Sequence, residues 1–587
     1  MVDTLTWVLA GVLVYMVGTA LLGRYGYLPG SIHVSGPITT IHTERGKALL
    51  DRLGRHRRFF RAWANVGVGF GLVVMVGMFL VVVFSGLASF SQPDANPIQE
   101  PTNALVIPGL NDFLPLAAAP EIVFGLAVGM IVHEGGHGLL CRVEGIDIDS
   151  MGLALFTLVP IGAFVQPDEE SQRAADRGAR TRMFAAGVTN NFALTVVALV
   201  VLFGPVAGSI TAVSGVAVGG VLPGSPADGV GIERGDVIVG VNGTTVTNQS
   251  TFSAALGSAD GRTVEVSLES GSTRRIERSV FVTSAIEDGP LSVASGQTIE
   301  RVNETVVHTV TEFYAAVDER PIATLQTTNG TETTGPVGAY VSAVVPDEPL
   351  AAAGAPAGEP VVITRFAGQR IVTGSDLSTA LDRTTPGQRV QLEAVVDGRV
   401  KPYTVTLGEH PRRNIGFLGV AGVQPGVSGV VLSDFGIQPY PAEFYLSLLG
   451  GSGPDLGLSL PQRLYSIVTL PVAAVASPVV PFNFAGFLGP LTSFYAVGGP
   501  LGFLGGGVFV AANVLFWTAW INLNVAVFNL IPLFPLDGGH ILRTSAEAIV
   551  ARTPLDTRWV VRAVTVSIGL LMFASLAVML LGPALLP

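Results

Sequence analysis

Only one cysteine, Cys141, and two lysines, Lys47 and Lys401, occur in 587 residues. A single thiol excludes an intrachain disulfide framework and a cysteine-rich zinc module, and its plain reading is a small packed side chain. With lysine so scarce, nearly all positive charge is arginine, and no basic patch interleaved with aromatics stands out. Nucleic acid is therefore not an expected partner. Charge of either sign is sparse: 13% of residues are charged against 49% hydrophobic, with a formal net charge of −11. Between residues 465 and 536 there is none at all. Together with a mean hydropathy of +0.54, this points away from a large soluble protein and toward a polytopic membrane protein.

Apolar runs near 20 residues place spans at about 5–23, 65–90, 119–141 and 183–207, with a last one near 563–584. The first run has neither a basic leader nor a small-residue cleavage site and reads as a retained span. Arginine-rich loops at 24–64, 167–182 and 543–562 are expected in the cytoplasm, and the loop at 91–118, without Lys or Arg, outside. The charge-free stretch has room for up to three spans, near 466–482, 485–499 and 506–531, and an odd number keeps the orientation consistent. Residues 151–166 are apolar but short and broken by Pro160 and Gly162, which suits a membrane-dipping hairpin.

From about 212 to 460 the apolar runs shorten to strand length, as in a soluble region. An internal repeat appears at 236–256, 297–317 and 361–381: a β-run, a turn, a second short β-run, then a helix led by Ser, Thr or Asp. The block at 215–236, with Pro223-Gly224-Ser225-Pro226-Ala227 and Gly235-Asp236, resembles a PDZ domain, and 338–360 is a matching lead. The middle copy lacks most of its lead. The expected fold class is thus a polytopic α-helical membrane protein with an inserted soluble α+β region of PDZ-like modules. Its expected parts are N-terminal helices and loops at 1–118, a membrane core at 119–211, a PDZ-like domain at 212–285 and a partial repeat at 286–336. A second PDZ-like domain at 337–410, a linker at 411–464 and the rest of the membrane core at 465–587 complete the chain. Such modules bind peptide ends or strands by edge addition, or serve as spacers that bind nothing.

The chemistry is concentrated in His133-Glu134-Gly135-Gly136-His137, inside the third apolar run. Two imidazoles four apart share one helix face, which suits a single Zn²⁺, and Glu134 between them can take a proton from water at the metal. The alternative is a polar knot between helices, at a penalty of about 3 kcal/mol per charged group in lipid. A catalytic zinc needs a third protein ligand. Asp537, in Asn529-Leu-Ile-Pro532-Leu-Phe-Pro535-Leu-Asp537-Gly538-Gly539-His540, is the carboxylate that ends the uncharged stretch, with an N-cap as its other reading. Asn529 is a candidate for holding substrate backbone or for an interhelical hydrogen bond. Asn190 and Asn191 read as packing amides, and His540 as a partner behind a ligand or an ordinary helix-start histidine.

His133-Glu134-x-x-His137 with Asn529-x-x-Pro532-x-x-Pro535-Leu536-Asp537-Gly538 resembles the site-2 protease family of intramembrane zinc metalloproteases. Gly162–Asp168 is similar to the hairpin that follows the motif helix in that family, and Ala186–Phe192 to its next core helix. The resemblance implies Zn²⁺ on His133, His137 and Asp537, Glu134 as the base, and Asn529 on substrate. It also implies transmembrane proteins as substrates, while the loop charges place the PDZ-like modules outside and the site in the lipid bilayer toward the cytoplasm. A catalytically silent membrane scaffold binding peptides is the competing reading. A metal transporter is weaker, because only one ligand cluster is visible.

Overall fold

A computed structural model describes residues 4–89, 107–111, 114–157, 159–286, 289–410, 413–473, 482–554 and 557–585. Seven helices organise the membrane part: α1 (Thr4–Arg24), α2 (Arg57–Ala88), α3 (Ala119–Glu144), α4 (Arg177–Val201), α5 (Gly507–Asn529), α6 (Asp537–Val550) and α7 (Thr557–Leu585). Five helical stretches are long and apolar enough to cross a membrane, those at Arg57–Ala88, Leu116–Glu144, Arg177–Ser209, Gly507–Asn529 and Arg558–Leu580; Ala10–Arg24 is a shorter apolar helix. Outward-facing side chains such as Val73, Phe84, Val200 and Phe573 are exposed, as lipid-facing surfaces are. This is a multi-pass membrane protein.

The charge-free stretch departs from expectation. Among the described residues only Gly507–Asn529 forms a long apolar helix there. The span expected at 466–482 begins as the ten-residue helix Leu460–Thr469 and lies partly outside the described residues. The one expected at 485–499 is a pair of 3₁₀ turns around a short strand, Tyr495–Val497, which pairs antiparallel with Ile210–Ala212. Pro490 and Pro500 open those turns, where a continuous helix would lose N–H donors. Helix α5 satisfies the irregular backbone instead. Asn513 accepts from Phe487 N at 2.7 Å and donates to Phe487 O at 3.1 Å, and Trp517 Nε1 donates to Ala485 O at 3.1 Å.

Strands β1 (Ile32–Ser35), β2 (Ile38–His42), β3 (Ile148–Phe156) and β4 (Val159–Pro167) form one antiparallel sheet in that order. The expected hairpin at 151–166 is thus β3–β4, docked on two strands from the loop after α1. β4 is the sheet edge, and its Val165 packs with the core of Leu139, Leu140 and Met183 from α3 and α4.

Between α4 and α5 stand three successive sheets of the same topology, each with a short helix at the corresponding place, Gln249–Ser258, Val310–Val317 and Gly374–Leu381. Their helices begin at Asn248, Thr309 and Thr373, whose side chains accept from the backbone three residues on. The middle unit, expected as a partial repeat at 286–336, carries as many strands as its neighbours. It opens at Val280–Ala285, within the range expected for the first unit, and the missing lead motif was only a turn sequence. The expected linker at 411–464 is not a linker either. It runs back along the array and adds an edge strand to each unit in reverse order: Val420–Val423 to the third, Val430–Ser433 to the second and Ile437–Pro439 to the first.

A buried ion pair clasps this arrangement. Arg278, 2% exposed, contacts Asp434 Oδ2 from Nη2 at 2.6 Å and from Nε at 3.1 Å, and donates to Ala259 O. Asp434 Oδ1 accepts from Val310 N at 2.7 Å. One carboxylate on the returning strand thereby joins the first unit to the helix of the second. Asp434→Ala leaves a guanidinium buried without its counter-charge and is expected to destabilise the β region by about 3–5 kcal/mol, whereas an apolar replacement of both partners is expected to be near neutral. Denaturant unfolding of both variants, followed by β-sheet circular dichroism, measures the difference.

Candidate metal centre

Helix α3 carries His133 and His137 one turn apart, both facing α4 and the start of α6. Their Nε2 atoms are 3.2 Å apart. Asp537 Oδ2 lies 3.2 Å from His133 Nε2 and 3.4 Å from His137 Nε2. Tetrahedral ligands about 2.0–2.1 Å from zinc stand about 3.3–3.4 Å from one another, so the three separations match a shared ion. Asp537 Oδ2 is also buried with no hydrogen-bond donor, as a ligand oxygen would be. Among the described residues these three form the one group of His, Cys, Asp or Glu whose donor atoms converge this way.

The proton positions follow from the partners behind the rings. His137 Nδ1 lies 2.8 Å from Met183 O, and a carbonyl can only accept, so the proton is on Nδ1 and Nε2 keeps its lone pair for a metal. His133 Nδ1 lies 3.2 Å from the Asn191 side-chain amide, whose other polar atom is buried without a partner. Turning that amide over puts its oxygen against Nδ1–H, the arrangement that frees His133 Nε2 as well. Asn191, expected only to pack helices, thus touches a ligand ring. Its neighbour Asn190 accepts from Trp63 Nε1 on α2 at 3.0 Å and does pack helices.

Asp537 reaches the site because the chain breaks at Pro532 and Pro535 and restarts as α6. The N-cap position is Leu536, so the Asp537 carboxylate is not used as a cap. A Cβ on Gly538 would stand 2.4 Å from Ile531 O, so only glycine lets the new helix fold onto the preceding turn. Gly187 on α4 has the same role beside the imidazoles, where a Cβ would lie 2.6 Å from His137 Nε2 and 2.9 Å from His133 Nε2. Half-buried Glu134 accepts a hydrogen bond from Val165 N on β4 at 3.0 Å, so the edge strand aims the carboxylate. His540 is stacked on Phe184 at 4.3 Å between centroids and meets Phe534 edge-on, an aromatic rather than a ligand-supporting role. Asn529 ends α5, half-buried, before the break.

One ion-pair cluster went unread in the sequence. Glu144, at the end of α3 and 2% exposed, takes bidentate contacts from both Arg182 on α4 and Arg61 on α2, at 2.8–3.2 Å. It locks the three helices just beyond the histidines. In the sequence these arginines carry only a topological signal.

The family model for peptidase family M50 matches residues 121–574, which include His133, Glu134, His137 and Asp537. The chain belongs to peptidase family M50. Among similar proteins, the zinc metalloprotease RasP of Oceanobacillus iheyensis is 28% identical over 221 residues, 36% of this chain and 44% of that protein. A membrane-bound transcription factor site-2 protease homolog of Arabidopsis thaliana is 28% identical over 241 residues, 38% of this chain and 44% of that protein. The chain spans less than half the length of the curated relatives it matches. M50 membership agrees with the resemblance to site-2 proteases, and two histidines and a carboxylate at these separations are a donor set that fits zinc.

Gly187→Ala is expected to push the imidazoles apart and abolish stoichiometric zinc, while Gly135→Ala, where the added Cβ meets open space, keeps the metal. Metal analysis of the purified variants reads this directly.

Proposed function

We propose that this M50 protein is an intramembrane zinc endopeptidase that cleaves transmembrane segments of membrane proteins. The observation that carries the reading is the meeting of His133, His137 and Asp537 from helices some 400 residues apart in sequence, with Glu134 adjoining them. Zinc, when bound, would supply a Lewis acid that polarises the scissile carbonyl. Glu134 takes the proton of the attacking water and returns it to the leaving amide nitrogen, with Val165 N holding its carboxylate in place. Because β4 is an edge strand beside this carboxylate, an unwound stretch of substrate has unpaired backbone to align against. Local unwinding is required, since an intact helix hides its carbonyls in hydrogen bonds. Asn529 is assigned to the substrate backbone.

The three β units are PDZ-like in this reading and stand outside the cell, over the mouth of the site, where they exclude bulky ectodomains. Arginine in the loops at 24–64, 167–182 and 543–562 supports that orientation, with the metal site toward the cytoplasm. Substrates would therefore be proteins already shortened by a first cut, as in regulated intramembrane proteolysis. A silent scaffold has no use for a base held beside a metal cluster.

Glu134→Gln is expected to keep one zinc per chain while cleavage of a model transmembrane peptide falls about 10²–10⁴-fold. Loss of zinc in this variant, or undiminished cleavage, would sink the assignment. Asn529→Ala is expected to keep zinc and raise KM, read from steady-state cleavage of the same peptide.

A further inference from the structure

Helix α7 packs against α6 near its start and against α2 and the turn before α6 through Ile568, Met572 and Leu576. Val561 packs with Ala546 and Val550 of α6, and Met572 packs with Val82 and Ile531. Between these contacts a cavity of about 1030 Å³ opens along α6 and α7. At one end its walls are Arg177, Arg543, Arg558 and Arg562, with Glu547 the single carboxylate among the described lining residues. Glu547 is shared among Arg177 at 4.0 Å, Arg180 at 2.8 Å and Arg543 at 3.3 Å, so positive charge is in excess among the described groups. At the other end the walls are apolar: Leu533, Phe534, Val566, Leu570 and Phe573. Trp559, 71% exposed at the start of α7, marks the arginine end as the level of the lipid headgroups. From Arg562 to Phe573 is eleven residues, about 16 Å of helix, close to the roughly 15 Å depth of one leaflet's hydrocarbon.

We propose that this cavity is a binding site for one anionic phospholipid, its phosphate among the arginines and an acyl chain running down between α6 and α7. An apolar groove open to a bilayer is filled by acyl chains by default; the cluster of arginines is what selects the charged headgroup. The same groove is walled by Pro532, Leu533 and Phe534, the turn that delivers Asp537, so the lipid braces that turn from the membrane side. This goes beyond the proteolytic reading and does not depend on it.

The test is native mass spectrometry of the full-length protein, delipidated and then exposed to phosphatidylglycerol or phosphatidylcholine with identical chains. Phosphatidylglycerol is expected to be retained about tenfold better. Arg558→Gln/Arg562→Gln is expected to remove that preference, and the corresponding double Lys variant to retain it. Gly569→Phe, which fills the chain end without altering charge, is expected to lower retention on its own; it also covers the case in which the arginine variant fails to fold. A photo-crosslinker at position 573 is expected to label lipid. Equal retention of the two lipids, unchanged retention in both the Gln and the Gly569→Phe variants, displacement by inorganic phosphate alone, or labelling of a protein helix at 573 would each overturn the proposal.

Discussion

The Asp537 carboxylate, set between two imidazoles with no other hydrogen-bond donor, is the interaction on which the membrane half of this protein depends. An unpaired carboxylate at membrane depth is costly, and two imidazole lone pairs facing it add repulsion, so the arrangement calls for one shared cation. That requirement ties α3 to α6, although the two helices are separated by the whole β region. The local features serve it: the proline break before α6, the Gly538 contact with the preceding turn, and the bare Cα of Gly187 against the rings.

Around this pairing the polar groups are assigned so that each imidazole presents Nε2. The Met183 carbonyl orients His137, and Asn191 faces His133 from the same helix, α4. Helix α4 therefore acts as the wall behind the metal ligands, and Glu144 with Arg61 and Arg182 fixes it to α2 and α3 at the ends of these helices. Glu134, about a quarter-turn around α3 from the histidines, is tethered by a strand edge rather than by a helix. The histidines and Asp537 are thus held by helices, while Glu134 is held by the backbone of a sheet edge.

The β region follows a different logic. Each unit is a small sheet completed by a strand from a segment that returns along the array, and the Arg278–Asp434 pair lies where first unit, second unit and return segment meet. No unit closes its own sheet from a contiguous stretch, so the three fold and unfold as coupled neighbours. The segment then passes directly into the Tyr440–Leu449 cluster that packs on α5, which links this array to the helices below.

The sequence alone was enough for the HExxH helix, the Asp537 partner, the apolar spans flanking them and the repeat in the β region. Each of these depends on local periodicity or on a rare polar group in apolar surroundings, which one dimension records faithfully. It was not enough for the segment at 485–499, where apolar composition suits a span but prolines and the Asn513 and Trp517 side chains of α5 make an irregular cap. Nor could it show that 420–439 supplies three edge strands, because short strands declare themselves only through partners 76 to 221 residues away. Composition and motif determined what this protein must bury and where it can bind a metal. Tertiary structure decided which backbone satisfies which, since a hydrogen bond between distant segments leaves no periodic trace in either.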